Sequence, residues 1–120
     1  MKLNFLTFFI KDIDKTIEFY EELAGLKVER RFNPGIGEII FMGNGGDDTK
    51  LEFIKPTVPG LGYKQGSGMT MCFYCDGDLE ELRVKTVAIG YNPSDINDKG
   101  PEPTNFKVLD PNGILVEFCK

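Results

Sequence analysis

Two segments of this 120-residue chain, KLEFIK at 50–55 and LVEFCK at 115–120, each carry a glutamate inside an otherwise largely apolar run. Glu52 and Glu117 stand 65 residues apart and share the pattern Glu-Phe-x-Lys. A carboxylate placed on a strand in this way can move a proton as a general base, ligate a divalent cation, or attract a cationic or hydrogen-bond-donating ligand. Two carboxylates brought into one cavity repel each other and lose hydration, so they need neutralising. A divalent cation, a lysine such as Lys50 or Lys107, a shared proton or a positively charged ligand would each do this. Two glutamates solvated at an open rim would need none of them.

The chain has no histidine, which excludes iron oxygenases of the two-histidine, one-carboxylate type. Its three cysteines are an odd number without the spacing of a disulfide framework, as expected in a reducing compartment. Cys72 and Cys75 form a C-x-x-C in MTMCFYC, but residues three apart on a strand point to opposite faces, so these cysteines read as strand filling. Cys119 can share a face with Cys72, which leaves a soft metal site open as a minor alternative.

The elements that must position these groups follow from periodicity. Residues 3–10, LNFLTFFI, are aromatic and branched and short enough for a buried strand. The start MKLNFLTFFIKD superficially resembles a signal peptide, but the apolar run stops at Lys11 and Asp12 without a small-residue cleavage site, and a first strand is the better reading. Asp12 then opens a helix over about 13–24, with Ile13, Ile17, Tyr20, Leu23 and Ala24 at helical spacing and Gly25 at its end. Three strand-like runs follow, LKVERRF, EIIFMG and KLEFIK. Residues 56–68, with two prolines and four glycines, read as a linker. The order then repeats: strand MTMCFYC, a helix from Asp78 to Gly90 with Glu81 at the capping-box position, a faint strand at 90–92, a polar loop at 93–103, then TNFKVLD, the turn DPNG and ILVEFCK.

Gly25 to Gly90 spans 65 residues, as does Glu52 to Glu117, so the chain reads as one domain holding a duplication. Module 1 covers about 1–55 and module 2 about 69–120. The 41% apolar and 28% charged composition is that of a soluble globular protein. A net charge of -5 argues against nucleic acid, whose phosphates it repels. No other apolar run approaches the ~18 residues of a membrane span, so a cytoplasmic protein without membrane partners is expected.

Alternation sorts the strand faces. Leu51 and Phe53 oppose Lys50, Glu52 and Ile54, while Ile114, Val116 and Phe118 oppose Leu115, Glu117 and Cys119. The polar side of strand one carries Phe5, Thr7 and Phe9, and that of strand five carries Thr70, Cys72 and Tyr74.

Two stretches carry a resemblance. DIDKTIEFYEELAGLKV and DPNGILVEF are similar to the first helix and to the last turn and strand of the vicinal oxygen chelate superfamily, which includes glyoxalase I, bleomycin-resistance proteins and extradiol dioxygenases. The resemblance implies an α+β fold of two tandem βαβββ modules whose curled mixed sheets surround a shared cavity, and it implies a homodimer. Metal-dependent members place one ligand on the first and one on the last strand of each module; carried over, those places fall on Phe5, Glu52, Thr70 and Glu117. Only the two glutamates could serve, as metal ligands or as catalytic groups.

The leading expectation is therefore a non-metal member without a cofactor that binds a small organic molecule, cationic or hydrogen-bond-donating. Its expected lining is Phe5, Thr7, Phe9, Glu52, Thr70, Cys72, Tyr74 and Glu117. One alternative is a lyase or isomerase of the glyoxalase I or epimerase type, with a weakly bound divalent metal on Glu52 and Glu117. A second is a dimerising module with a vestigial site.

Overall fold

The computed structural model describes residues 1–57 and 66–120. The chain divides into two compact units, Met1–Gln65 and Gly66–Lys120. The expected linker at 56–68 lies mostly outside the described residues, its Gly-Leu-Gly included; Pro56 closes a strand of the first unit.

The first unit runs β1 (Phe5–Phe9), α1 (Ile13–Ala24), β2 (Lys27–Phe32), β3 (Gly37–Gly43) and β4 (Lys50–Pro56). Its four strands lie in the order β1-β4-β3-β2, with β1 parallel to β4 and the other pairs antiparallel. The helix falls where its sequence predicts. Asp12 caps it by accepting a hydrogen bond from the Lys15 N–H at 3.0 Å, and Gly25, left-handed at φ 67°, lets the Leu26 N–H reach the Tyr20 carbonyl at 3.1 Å. The buried stripe is Ile13, Thr16, Phe19, Tyr20 and Leu23. Thr16 enters it because its hydroxyl donates to the Asp12 carbonyl at 2.7 Å, leaving no unpaired polar group. Tyr20 and Phe8 both pack on Phe53, with ring centroids 5.0 and 5.7 Å away, so one face of the sheet is sealed by the helix. The other face is open at Phe5 and Thr7 and partly exposed at Phe41 and Glu52, while Ile39 and Ile54 further along it are buried.

The second unit runs β5 (Thr70–Tyr74), α2 (Leu79–Ala88), β6 (Asn105–Leu109) and β7 (Leu115–Cys119), in the sheet order β5-β7-β6. Adding 65 to each residue of the β1–β4 register gives the β5–β7 register: Thr7 opposite Glu52 becomes Cys72 opposite Glu117. Val116, Phe118 and Phe106 are fully buried, and Phe118 contacts both Phe106 and Phe73.

Among the described residues this unit has three strands, and the faint strand expected at 90–92 does not form. Gly90 (φ 104°) instead ends the helix, with the Tyr91 N–H bonded to the Thr86 carbonyl. The edge place beside β6 is taken by residues 94–97. Ser94 and Asn97 pair with Lys107 and Asn105 through backbone bonds of 2.7–3.0 Å, and the Ser94 hydroxyl replaces one ladder carbonyl by accepting from the Lys107 N–H at 2.9 Å. Arg83 also ties this segment down, through the Ser94 carbonyl at 2.7 Å and the Asp95 carboxylate. The first part of the polar loop at 93–103 is thus anchored.

The DPNG turn sets the start of β7. Asp110 is buried, and its Oδ1 accepts from the backbone N–H groups of Asn112 and Ile114 at 2.7 and 2.9 Å. Removing that acceptor in Asp110→Ala leaves donors unpaired in a site closed to water. Urea denaturation should show a loss of about 2–3 kcal/mol.

Candidate functional site

On the open face of the first sheet, Glu52 sits between two neighbours fixed by strand register: Thr7 on one side and Phe41 on the other. The Thr7 hydroxyl donates to Glu52 Oε1 at 2.6 Å. Among the described residues the Glu52 carboxylate has no ion-pair partner. Lys50, expected as a counterion, turns away instead, donating to Glu29 at 3.0 Å and to the Gly46 carbonyl at 2.7 Å.

Aromatic rings pave the rest of this face. Phe5 meets Phe41 edge-on at 5.3 Å, Phe41 stacks on Phe32 at 6.4 Å, and the Arg30 guanidinium lies 4.4 Å over the Phe32 ring. Beside them opens a cleft of about 380 Å³ lined by Asn4, Phe5, Glu29, Arg30, Phe41 and Lys50. Of the expected lining residues, Phe5 borders this cleft, Thr7 and Glu52 adjoin it along the strands, and Phe9 is half-buried further along. Phe32, Phe41 and Arg30 escaped the sequence reading for different reasons. Phe41 was accessible by the same alternation that placed Glu52. Arg30 and Phe32 were not, because a bulge between Val28 and Arg30 changes which side chains of β2 face this way.

The second unit presents a different chemistry at the matching positions. Glu117 lies between Cys72 and Lys107. The Lys107 ammonium is 3.7 Å from Glu117 Oε2, so this carboxylate has its counterion. The Cys72 sulfur is 3.6 Å from Glu117 Oε1 and 3.2 Å from the Cys119 sulfur. Cys72 therefore pairs with Cys119, and the C-x-x-C with Cys75 is not a pair. Thr70 and Tyr74 are exposed on the strand that carries Cys72.

The Cys72 thiol is pushed up from 9.0 to about 12, first by loss of water around the sulfur, then by its hydrogen bond and proximity to Cys119, then by the Glu117 charge. The residue as a whole is exposed, yet its sulfur leans onto these two neighbours. A raised thiol pKa favours the folded state below the ordinary value, and that contribution is lost as pH climbs from about 9 towards about 12. The same shift starves Cys72 of thiolate near neutrality. Timed alkylation with iodoacetamide at pH 8, read by peptide mapping, should find Cys72 at least about tenfold slower than an unhindered thiol, and Glu117→Gln should speed it.

A family model described as the glyoxalase/bleomycin resistance protein/dioxygenase superfamily matches residues 2–118. The chain belongs to this superfamily. No curated protein sequence matches it. Among solved structures, TnmS3, an antibiotic-binding protein from Streptomyces sp. CB03234, is similar at 16% identity and a TM-score of 0.76, over 99% of this chain and 94% of that one. The trypanothione-dependent glyoxalase I of Leishmania major is similar at 21% identity and a TM-score of 0.75, over 100% and 86%. Glyoxalase I from Zea mays reaches a TM-score of 0.83 at 21% identity, over 98% of this chain and 44% of its own. At these identities the likeness shows the fold.

The four places where the resemblance puts a family metal do not suit one in this member. Phe5 offers a phenyl ring, and Thr70 a neutral hydroxyl. Glu117 already faces an ammonium ion. Among the described residues no group of three or more His, Cys, Asp or Glu side chains is arranged to hold a metal ion.

Proposed function

We propose that this superfamily member binds a small organic molecule on the open face of its first sheet, without a metal at the family's position. The observation that carries this reading is Glu52: a carboxylate without an ion-pair partner among the described residues, fixed by Thr7 and set against Phe41, Phe5 and Phe32. A planar aromatic body can lie on those rings while a cationic or hydrogen-bond-donating group reaches Glu52. The adjoining cleft of about 380 Å³ falls in the size range of small-molecule sites. Arg30 at its edge offers a place for an acceptor on the same ligand. TnmS3, an antibiotic-binding protein of similar fold, agrees with such a role.

A lyase or isomerase using a divalent metal would need donors where Phe5 and Thr70 stand, so the binding reading is preferred. Matched pairs of planar aromatic compounds, one cationic and one anionic, titrated by calorimetry provide the test. The cationic member of a pair should bind at least about tenfold more tightly, a difference of about 1.4 kcal/mol. Equal affinity, or preference for the anion, would remove Glu52 from the account.

A further inference from the structure

The open face of the second sheet holds a group that the binding role does not use. Cys72 and Cys119 bring their sulfurs to 3.2 Å, and the Glu117 carboxylate stands 3.6 Å from the first of them with Lys107 behind it. The strand register explains how: Cys72 is opposite Glu117, and Cys119 lies two residues on along the same face. We propose that Cys72 and Cys119 form a two-thiolate site for a thiophilic divalent cation such as zinc or cadmium, with the remaining coordination places open to water or to an outside ligand.

Geometry separates this from a disulfide. Cys72 and Cys119 are diagonal, not directly opposite, neighbours on two parallel strands, whereas an unstrained disulfide needs Cα atoms ~4.4–6.8 Å apart and its sulfurs at ~2.05 Å. Closing that bond would drag two hydrogen-bonded strands together. A tetrahedral zinc with Zn–S bonds of ~2.3 Å holds its sulfurs ~3.8 Å apart, so the two side chains need part by only a few tenths of an ångström. Charge also balances locally: two thiolates face the divalent cation, as Glu117 faces Lys107. Binding expels the protons that the thiols carry, so the cation competes with protons and its apparent affinity rises with pH. Two protein sulfurs are fewer donors than a closed structural zinc site uses, which makes this an exchangeable site that an outside thiol or carboxylate can complete.

The test is a titration of the reduced, chelator-stripped protein with cadmium, followed by the ultraviolet thiolate-to-cadmium charge-transfer band. One equivalent should saturate the band. Cys72→Ser and Cys119→Ser should each weaken binding at least a hundredfold, while Cys75→Ser should change it less than threefold. Cys72 is exposed, so its serine variant is expected to fold, and its circular dichroism spectrum checks this. No band at millimolar cadmium, a band retained in the Cys72→Ser protein, or a ready Cys72–Cys119 disulfide with a two-proton mass loss in place of metal uptake would each overturn the proposal. Because Glu52 and Phe5 play no part here, failure of this site leaves the ligand-binding reading untouched, and the converse holds.

Discussion

Replacing Phe53 with alanine should lower the unfolding free energy by about 3–5 kcal/mol, the largest stability effect expected in the first unit. Phe53 is fully buried and takes the Tyr20 and Phe8 rings on its surface. Its strand partner Ile40 is equally buried, so no neighbour can move in to fill the space without leaving its own contacts. A domain of this size is stable by only ~5–15 kcal/mol, so the variant gives up a large part of its margin. Urea denaturation followed by far-ultraviolet circular dichroism measures the loss. Phe5→Ala gives the contrast. This residue is 40% exposed, and removing its ring should cost less than about 1 kcal/mol while weakening ligand binding. A Phe53→Ala loss below about 1.5 kcal/mol would mean that α1 does not seal the sheet as described.

The second large effect is on binding. Glu52→Gln keeps the shape of the side chain and can still accept from Thr7, but it removes the charge. A hydrogen bond to a charged group is worth ~1.5–3 kcal/mol, so the variant should bind a cationic planar ligand roughly 10- to 100-fold more weakly. The anionic partner compound should gain slightly, which a general loss of folding could not produce. Glu117→Gln removes a carboxylate that already faces Lys107, and its effect on the same ligand should be within about threefold. If both variants weaken binding equally, the distinction drawn between the two glutamates is wrong.

Much of the architecture was legible in residues whose role is local. Asp12, Gly25 and Asp78 act within one helical turn, so a single sequence exposes them, and the helix bounds followed. The strands carrying Glu52 and Glu117 were equally legible because alternation across a sheet with one sealed face has only two registers. What could not be read depends on partners distant in sequence. The Val28–Arg30 bulge, which sends Arg30 and Phe32 to the open face, leaves no mark in LKVERRF. The strand expected at 90–92 failed because Gly90 continues the helix terminus, and the edge pairing moved on to Ser94–Asn97, where a hydroxyl stands in for a backbone group. Lys50 looked like a counterion for Glu52 because both lie on one face, but the Glu29 carboxylate and the Gly46 carbonyl hold it elsewhere. Alternation brought Cys72 and Cys119 to one side; that their sulfurs lie 3.2 Å apart required the structure.

The most direct measurement is a nuclear magnetic resonance titration of the labelled protein with the tightest cationic aromatic compound from the paired set, at saturating ligand. Shifts concentrated on Phe5, Thr7, Phe41 and Glu52, and abolished in Glu52→Gln, are the result that the account predicts. Saturable binding whose shifts avoid these residues, or a response that appears only when a divalent metal is added and vanishes in the Glu52→Gln, Glu117→Gln double variant, would contradict it.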